Sequence, residues 1–326
     1  MTESYNNMIA QQMMTLASIA YTYGPGKSAT PRAEDIAHNL AHKQYSTKGV
    51  WDLVWGPGYS DYDDNMMFVV RQKGTGTYAV AIRGTEPSSI KSWLEDVPTG
   101  MSDYATYTGE TTLVSDKFAE AIQHLEQTAK DPGGQGFEAF FDGICARPDP
   151  VTLYVTGHSQ GAGLAPIMAA WLHAKRGKWP APVQVISYGF APPTSGDTEF
   201  AGWVDRTFPC FYVANPHDIV PFAYNRLGDI IPQAVPTTVP QWVKIDGIDV
   251  DLHALIDGSN IAMKAIADLH MTRWQQAGTA HPVTGIPDPK KGDDYLAQVG
   301  FQHSHDTYLE LIGAYYPVSL APKPPG

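Results

Sequence analysis

Apolar positions near the start of the chain recur at helical spacing. Met8, Ile9, Met13, Leu16 and Ile19 share one face of residues 8–20, which predicts an amphipathic packing helix. PRAEDIAHNLAHK, from Pro31, predicts a second helix with proline near its start. The pattern then changes. NMMFVVRQ and TYAVAIRG are two apolar runs separated by KGTG, a hairpin signal. Residues 114–126 return to helical spacing through Val114, Phe118, Ala121, Ile122 and Leu125, and DPGGQG from Asp131 ends that helix.

The centre of the chain is the most regular part. TLYVT reads as a buried strand, GHSQG as a turn, AGLAPIMAAWLHAKR as a helix, and VQVISYG and CFYVA as two more buried strands. Strands alternating with helices predict a largely parallel sheet flanked by helices. Residues 223–300 are rich in Pro, Gly, Asp and Trp, with one helix expected around 258–276. They read as a long insertion or cap over the sheet, so residues 1–326 are expected to form one domain. HSHDTYLELIGAYY is a further helix candidate, and APKPPG a frayed tail.

With 43% apolar residues among 326, the chain can bury a sizeable core, which argues against disorder. A net charge of −12 excludes nucleic acid or an anionic membrane as a partner held by bulk charge. Any grip on lipid would have to be apolar. Two cysteines, Cys145 and Cys210, exclude a disulfide framework and leave open whether they pair. MTESYNN lacks a basic leader, and no apolar run approaches membrane-spanning length. The expectation is a soluble protein, cytoplasmic or exported without a cleaved signal.

Gly157-His158-Ser159-Gln160-Gly161 lies between a strand and a helix. The G-x-S-x-G pattern in that setting is a nucleophile elbow. A sharp strand-to-helix turn strains the serine and leaves no room for bulky neighbours. It also places the serine at a helix N-terminus, where N–H groups favour negative charge. A serine hydroxyl needs a histidine to take its proton and a carboxylate to hold that histidine in the right tautomer. In α/β-hydrolases the chain order is Ser, acid, His. Asp218, in ANPHDIVP just past CFYVA, fits the second place. Of the five histidines that follow, His253 and His270 lie in or beside helical stretches, and His281 precedes a proline in an expected loop. His303 and His305 stand at the mouth of the last helix. His303 is preferred, because a residue just outside a helix capped by Ser304 can aim its ring freely; His305 remains the alternative. An H-x-H metal site would need a third ligand, and none stands nearby, so no metal or other cofactor is implied. For the oxyanion, the N–H of Gln160 and the N–H and hydroxyl of Thr85, after Arg83-Gly84, are the candidate donors. Ile90, Trp93, Leu94 and Val97 fall at i, i+3, i+4 and i+7 of SSIKSWLEDV. That short amphipathic helix is either a lid over the site or ordinary core packing.

Taken in order, RGT at 83–85, SIKSWLEDV, VSDKF, VTGHSQGA, SYGFAPPTSGDTEFA and ANPHDIVP resemble the class 3 lipases. The resemblance runs well through residues 65–222 and more loosely over the C-terminal histidines. It implies the α/β-hydrolase fold, Ser159 as nucleophile, Asp218 as acid, and Thr85 with Gln160 as the oxyanion hole. It makes SIKSWLEDV the lid, with Trp93 on its apolar face. It also implies a histidine ahead of Tyr308, a place that both His303 and His305 satisfy. Ser115 and Lys117 depart from the histidine and glycine often found before the family's phenylalanine, here Phe118. The implied activity is cleavage of carboxylic esters by a triacylglycerol lipase or carboxylesterase, with no cofactor, acting on lipid or small esters. Phospholipase A1 and aryl-ester specificity are alternatives within that class. A peptidase or acyltransferase using the same residues, and a hydrolase-fold binder without catalysis, are the alternatives outside it.

Overall fold

The computed structural model describes residues 4–25, 28, 30–61, 65–84, 100–230, 239–245, 248–285, 294–314, 316–321, 323 and 324. Its centre is a seven-stranded sheet: β1 Trp51–Tyr59, β2 Met66–Gln72, β3 Thr77–Ile82, β4 Val151–His158, β5 Val183–Phe190, β6 Cys210–Ala214 and β7 Thr279–Pro282. Spatial order follows chain order. The first two pairings are antiparallel, and β3 through β7 run parallel.

The alternation of side chains along these strands feeds two apolar layers. Val69, Val80, Leu153 and Val155 face helices Asp116–Thr128, Phe137–Ile144 and Gln160–Lys175. Phe68, Ala79, Tyr154 and Ile186 face helices Asn7–Ile19 and His305–Leu311. Gln160–Lys175 is buried at every position from Gly161 to Leu172, so it is apolar all round instead of on one stripe. Asn7–Ile19 starts where the Asn6 side chain accepts N–H bonds from Met8 and Ile9, at 3.0 and 3.2 Å. A third apolar cluster gathers Phe222, Val239, Val243, Leu252, Ile256, Tyr295 and Val299.

Several elements differ from the expected ones. Strand β1 was not foreseen: Gly56, Pro57 and Gly58 interrupt any strand pattern, yet they sit in a strand whose register shifts between Leu53 and Trp55 and again before Gly58. Leu113–Ser115 is a short strand paired with Met101–Asp103 and touching Gly196, so the helix begins only at Asp116. The helix expected at 258–276 spans Leu252–Leu269. Asp251 caps its start, accepting from Ala254 N–H at 3.0 Å, and Met271, at φ +54°, turns the chain away beyond its end. Trp274–Gln275 then pairs with Gly196–Asp197, and Thr279–Pro282 becomes an edge strand of the main sheet. The stretch read as an insertion therefore supplies part of the sheet itself. Among the described residues, no helix is long and apolar enough to cross a membrane, and Cys145 and Cys210 are both free and buried.

Candidate active site

Strand β4 ends at His158 and a helix begins at Gln160, so Ser159 alone makes the turn. Its backbone sits at φ 59° and ψ −131°, a region that costs of order 1–3 kcal/mol for a side-chain-bearing residue. Its surroundings explain why glycine stands two residues to either side of it. A Cβ on Gly157 would run into the Gly161 carbonyl, and one on Gly161 into the Ile82 carbonyl at the end of β3. The strained peptide is held in place: Ser159 N–H donates to Phe190 O at 2.9 Å, and Ser159 O accepts from Ala162 N–H at 2.9 Å. The serine is only 2% exposed.

His303 Nε2 lies 2.8 Å from Ser159 Oγ, and His303 Nδ1 lies 2.8 Å from Asp218 Oδ2. All three side chains are buried. Asp218 is fixed from two further directions: Val220 N–H donates to Oδ1 at 3.0 Å, and the Tyr308 hydroxyl donates to Oδ2 at 2.8 Å. The Tyr308 oxygen in turn accepts from Asn215 N–H at 3.0 Å. Burial, and then the neighbouring Asp218, push the Tyr308 phenol well above its ordinary range, so it stays a donor. The Asn215 side chain closes the loop, donating to Gln302 O at 3.0 Å and Gln302 Oε1 at 2.7 Å.

Of the two histidine candidates, the geometry brings His303 to the serine. It is the last residue of helix Tyr295–His303, not a residue free of helix as expected. What aims it is the break at Ser304, in extended conformation with ψ 143°, whose hydroxyl accepts from Thr307 N–H at 3.2 Å and starts the final helix. His305 instead stacks on Tyr21, with ring centroids 5.5 Å apart. His303 and His305 therefore face different partners, and no group of three or more metal-ligating side chains occurs among the described residues. His253 and His270 belong to helix Leu252–Leu269 and its end, and His281 lies in strand β7, stacked on Tyr5. Gln160 opens the helix that follows Ser159, so its N–H stands in that helix's first turn. Thr85, Ile90, Trp93 and Leu94 lie outside the described residues.

Two participants escaped the sequence reading. Tyr308 was recognised by its place after the histidine, but nothing in a single sequence says that its hydroxyl reaches Asp218. His158 sat inside the motif as an unassigned middle residue. It is buried, with its ring centroid 4.8 Å from that of His303. Burial, then His303 and His305, hold its pKa well below the ordinary histidine range. A cleft of about 810 Å³, walled by Gln11, Lys48, His281 and Leu311 among others, does not include Ser159.

The sheet order, the strained turn at the end of β4 and the buried Ser159, His303 and Asp218 line define an α/β-hydrolase. Residues 79–227, just under half of the chain, match the family model of the class 3 lipases, and this match supports a lipase-type ester hydrolase. Over 95% of its length it superposes on 93% of M37 lipase with a TM-score of 0.78 at 26% identity. The lipase from Rhizopus microsporus var. chinensis aligns with 67% of this chain and 70% of its own, at 22% identity and a TM-score of 0.49.

Proposed function

We propose that this chain is a serine-dependent lipase or carboxylesterase that works through an acyl-enzyme. His303 Nε2 takes the Ser159 proton as Oγ attacks the ester carbonyl, and Asp218 holds the ring in the tautomer that leaves Nε2 free. The alcohol leaves with the proton returned by His303, and Ser159 is acylated. Water, deprotonated by His303, then attacks the acyl carbon, releases the acid and restores the serine. Gln160 N–H and Thr85 are the assigned donors to the oxyanion. The unbroken 2.8 Å and 2.8 Å sequence from Ser159 through His303 to Asp218 carries this reading.

The substrate class we infer is a water-insoluble carboxylic ester, a triacylglycerol first. A nucleophile 2% exposed meets such a substrate only after its cover withdraws. The apolar positions Ile90, Trp93 and Leu94 make residues 89–97 the assigned lid. We take the whole chain as one hydrolase unit, with residues 223–300 as its cap region apart from the edge strand Thr279–Pro282 that they lend to the sheet. Support comes from Met263 and Ala267, which share an apolar cluster with Phe118 and Tyr224.

Fluorophosphonate labelling combined with p-nitrophenyl ester profiling tests the proposal. Wild type should label at Ser159 and gain rate on long-chain esters once they form an interface. Folded wild-type protein that takes no label would remove the serine mechanism and leave a binder. Saturation on short soluble esters, with no gain at an interface, would leave an esterase without the lid. Preference for phospholipid or aryl esters would reassign the substrate alone.

A further inference from the structure

Tyr21 lies two residues past the end of helix Asn7–Ile19 and outside the stretch that matches the family. Its hydroxyl is 3.1 Å from His158 Nδ1 and donates to the His158 carbonyl oxygen at 3.3 Å. It also occupies the space that a Cβ on Gly84 would need. Its ring stacks on His305 at 5.5 Å and 18°. One phenol thus touches the residue before the nucleophile, the residue before Thr85, and the residue two beyond His303. The His158 ring that it grips lies against the rings of His303 and Tyr308, with centroids 4.8 and 5.5 Å away.

We propose that Tyr21 and His158 are positioning residues: the Tyr21 hydroxyl locks the His158 ring as the floor beneath His303 and seats Gly84 against the nucleophile turn. The proposal rests on the serine mechanism above. Its hydrogen bonds to Ser159 and Asp218 fix the His303 ring nitrogens, but they leave the ring free to rock about the line between them. Packing on its faces restrains that motion, and His158 supplies one face. The same hydroxyl fills the space beside Gly84, where a Cβ would also meet the His158 carbonyl and Ser159 Cβ. Misplacements of about 1 Å are enough to cost roughly 100-fold in rate. His158 suits the role because it stays neutral beside His303: burial and the two neighbouring imidazoles oppose its protonation.

Tyr21→Phe removes the hydroxyl and keeps the ring on His305. Tyr45→Phe is the matched control: its hydroxyl accepts from Ser319 N–H at 2.8 Å, and its ring belongs to the apolar layer against helix Asn7–Ile19. For both variants and wild type, kcat and KM on p-nitrophenyl butyrate, the fluorophosphonate labelling rate and Tm are measured. Tyr21→Phe should lose about 10- to 100-fold in kcat and in labelling rate, with KM and Tm close to those of Tyr45→Phe. Wild type that labels, beside Tyr21→Phe with kcat within about threefold of the control, would overturn the positioning role while leaving the serine mechanism standing. Activity lost only in proportion to unfolded protein would also overturn it. His158→Gln gives a second reading if Tyr21→Phe does not fold: it should lower kcat with KM unchanged, and a wild-type kcat would refute the proposal. Wild type that does not label at all fails the serine mechanism instead.

Discussion

Replacing Asp218 by asparagine is the sharpest test of how the site is wired. The carboxylate faces three donors: His303 Nδ1–H and the Tyr308 hydroxyl on Oδ2, each at 2.8 Å, and Val220 N–H on Oδ1 at 3.0 Å. A carboxamide can present an oxygen to only one side. With its NH2 toward Val220 it would oppose a backbone N–H that cannot turn. With its NH2 on the Oδ2 side it opposes a phenol that can rotate and an imidazole that can change tautomer. The second arrangement therefore wins, and it puts the His303 proton on Nε2, against Ser159. The wrong tautomer costs about 10⁴-fold in kcat, roughly 5.5 kcal/mol of barrier. No charge is left unpaired, so Tm should change little. Steady-state kinetics on p-nitrophenyl butyrate, fluorophosphonate labelling and thermal melting of Asp218→Asn measure all three consequences. A loss below about tenfold in a protein of wild-type Tm would show that the carboxylate does not set the tautomer.

His303→Ala should match Ser159→Ala, each losing at least about 1,000-fold in kcat, and His305→Ala should fall short of both; equal losses in the two histidine variants would undo the assignment. Tyr308→Phe takes a donor from Asp218 and leaves the buried Asn215 N–H without its acceptor, so urea unfolding should report a loss of about 1–3 kcal/mol. Gly161→Ala should give little folded protein, because its Cβ meets the Ile82 carbonyl of a neighbouring strand; a soluble variant of normal Tm would contradict the packing at the turn. His173 is held down to about 4 by burial and then by Arg176. It folds neutral and binds a proton on unfolding below about pH 6.5, so its stabilisation is whole above that pH and is lost as pH falls toward 4. At this half-buried site the effect is on the order of 1–2 kcal/mol after screening, and His173→Phe should flatten the dependence of urea stability between pH 7 and pH 5.

How legible the molecule was in its sequence depended on whether local pattern decided the outcome. The run from β4 to the helix behind Ser159 was legible because period, glycines and motif all point the same way. The same holds for β5 and for Asp218 beyond β6. Strand β1 was hidden because Gly56, Pro57 and Gly58 carry turn chemistry inside a bulged edge pairing. Helix Leu252–Leu269 was displaced in the reading because Trp274, apolar and at plausible spacing, belongs to a strand whose partner, Asp197, is far away in the chain. His303 was favoured on a premise that the fold does not share. It ends a helix, and the aim comes from the Ser304 break, which no periodicity reveals. The roles of Tyr21 and His158 were invisible because they depend on contacts between segments far apart in sequence.

The site also explains how so long a stretch can separate Asp218 from His303. Asp218 and His303 are 85 positions apart, yet the segments that carry them are clamped directly to each other. Asn215, three residues before Asp218, bonds through its side chain to Gln302, the neighbour of His303, and through its N–H to the Tyr308 hydroxyl. Tyr308 then returns to Asp218. The relative position of Asp218 and His303 is thus set by these bonds and not by the path between them. Loop closure adds only about 0.6 kcal/mol for each doubling of length, so residues between the two ends can build a third apolar cluster and an edge strand at little cost to the site. The nucleophile has no such latitude. Gly84 lies beyond β3, Gly157 and Ser159 at the end of β4, and Phe190 at the end of β5. The strained turn survives only where these three parallel strands meet it at close quarters.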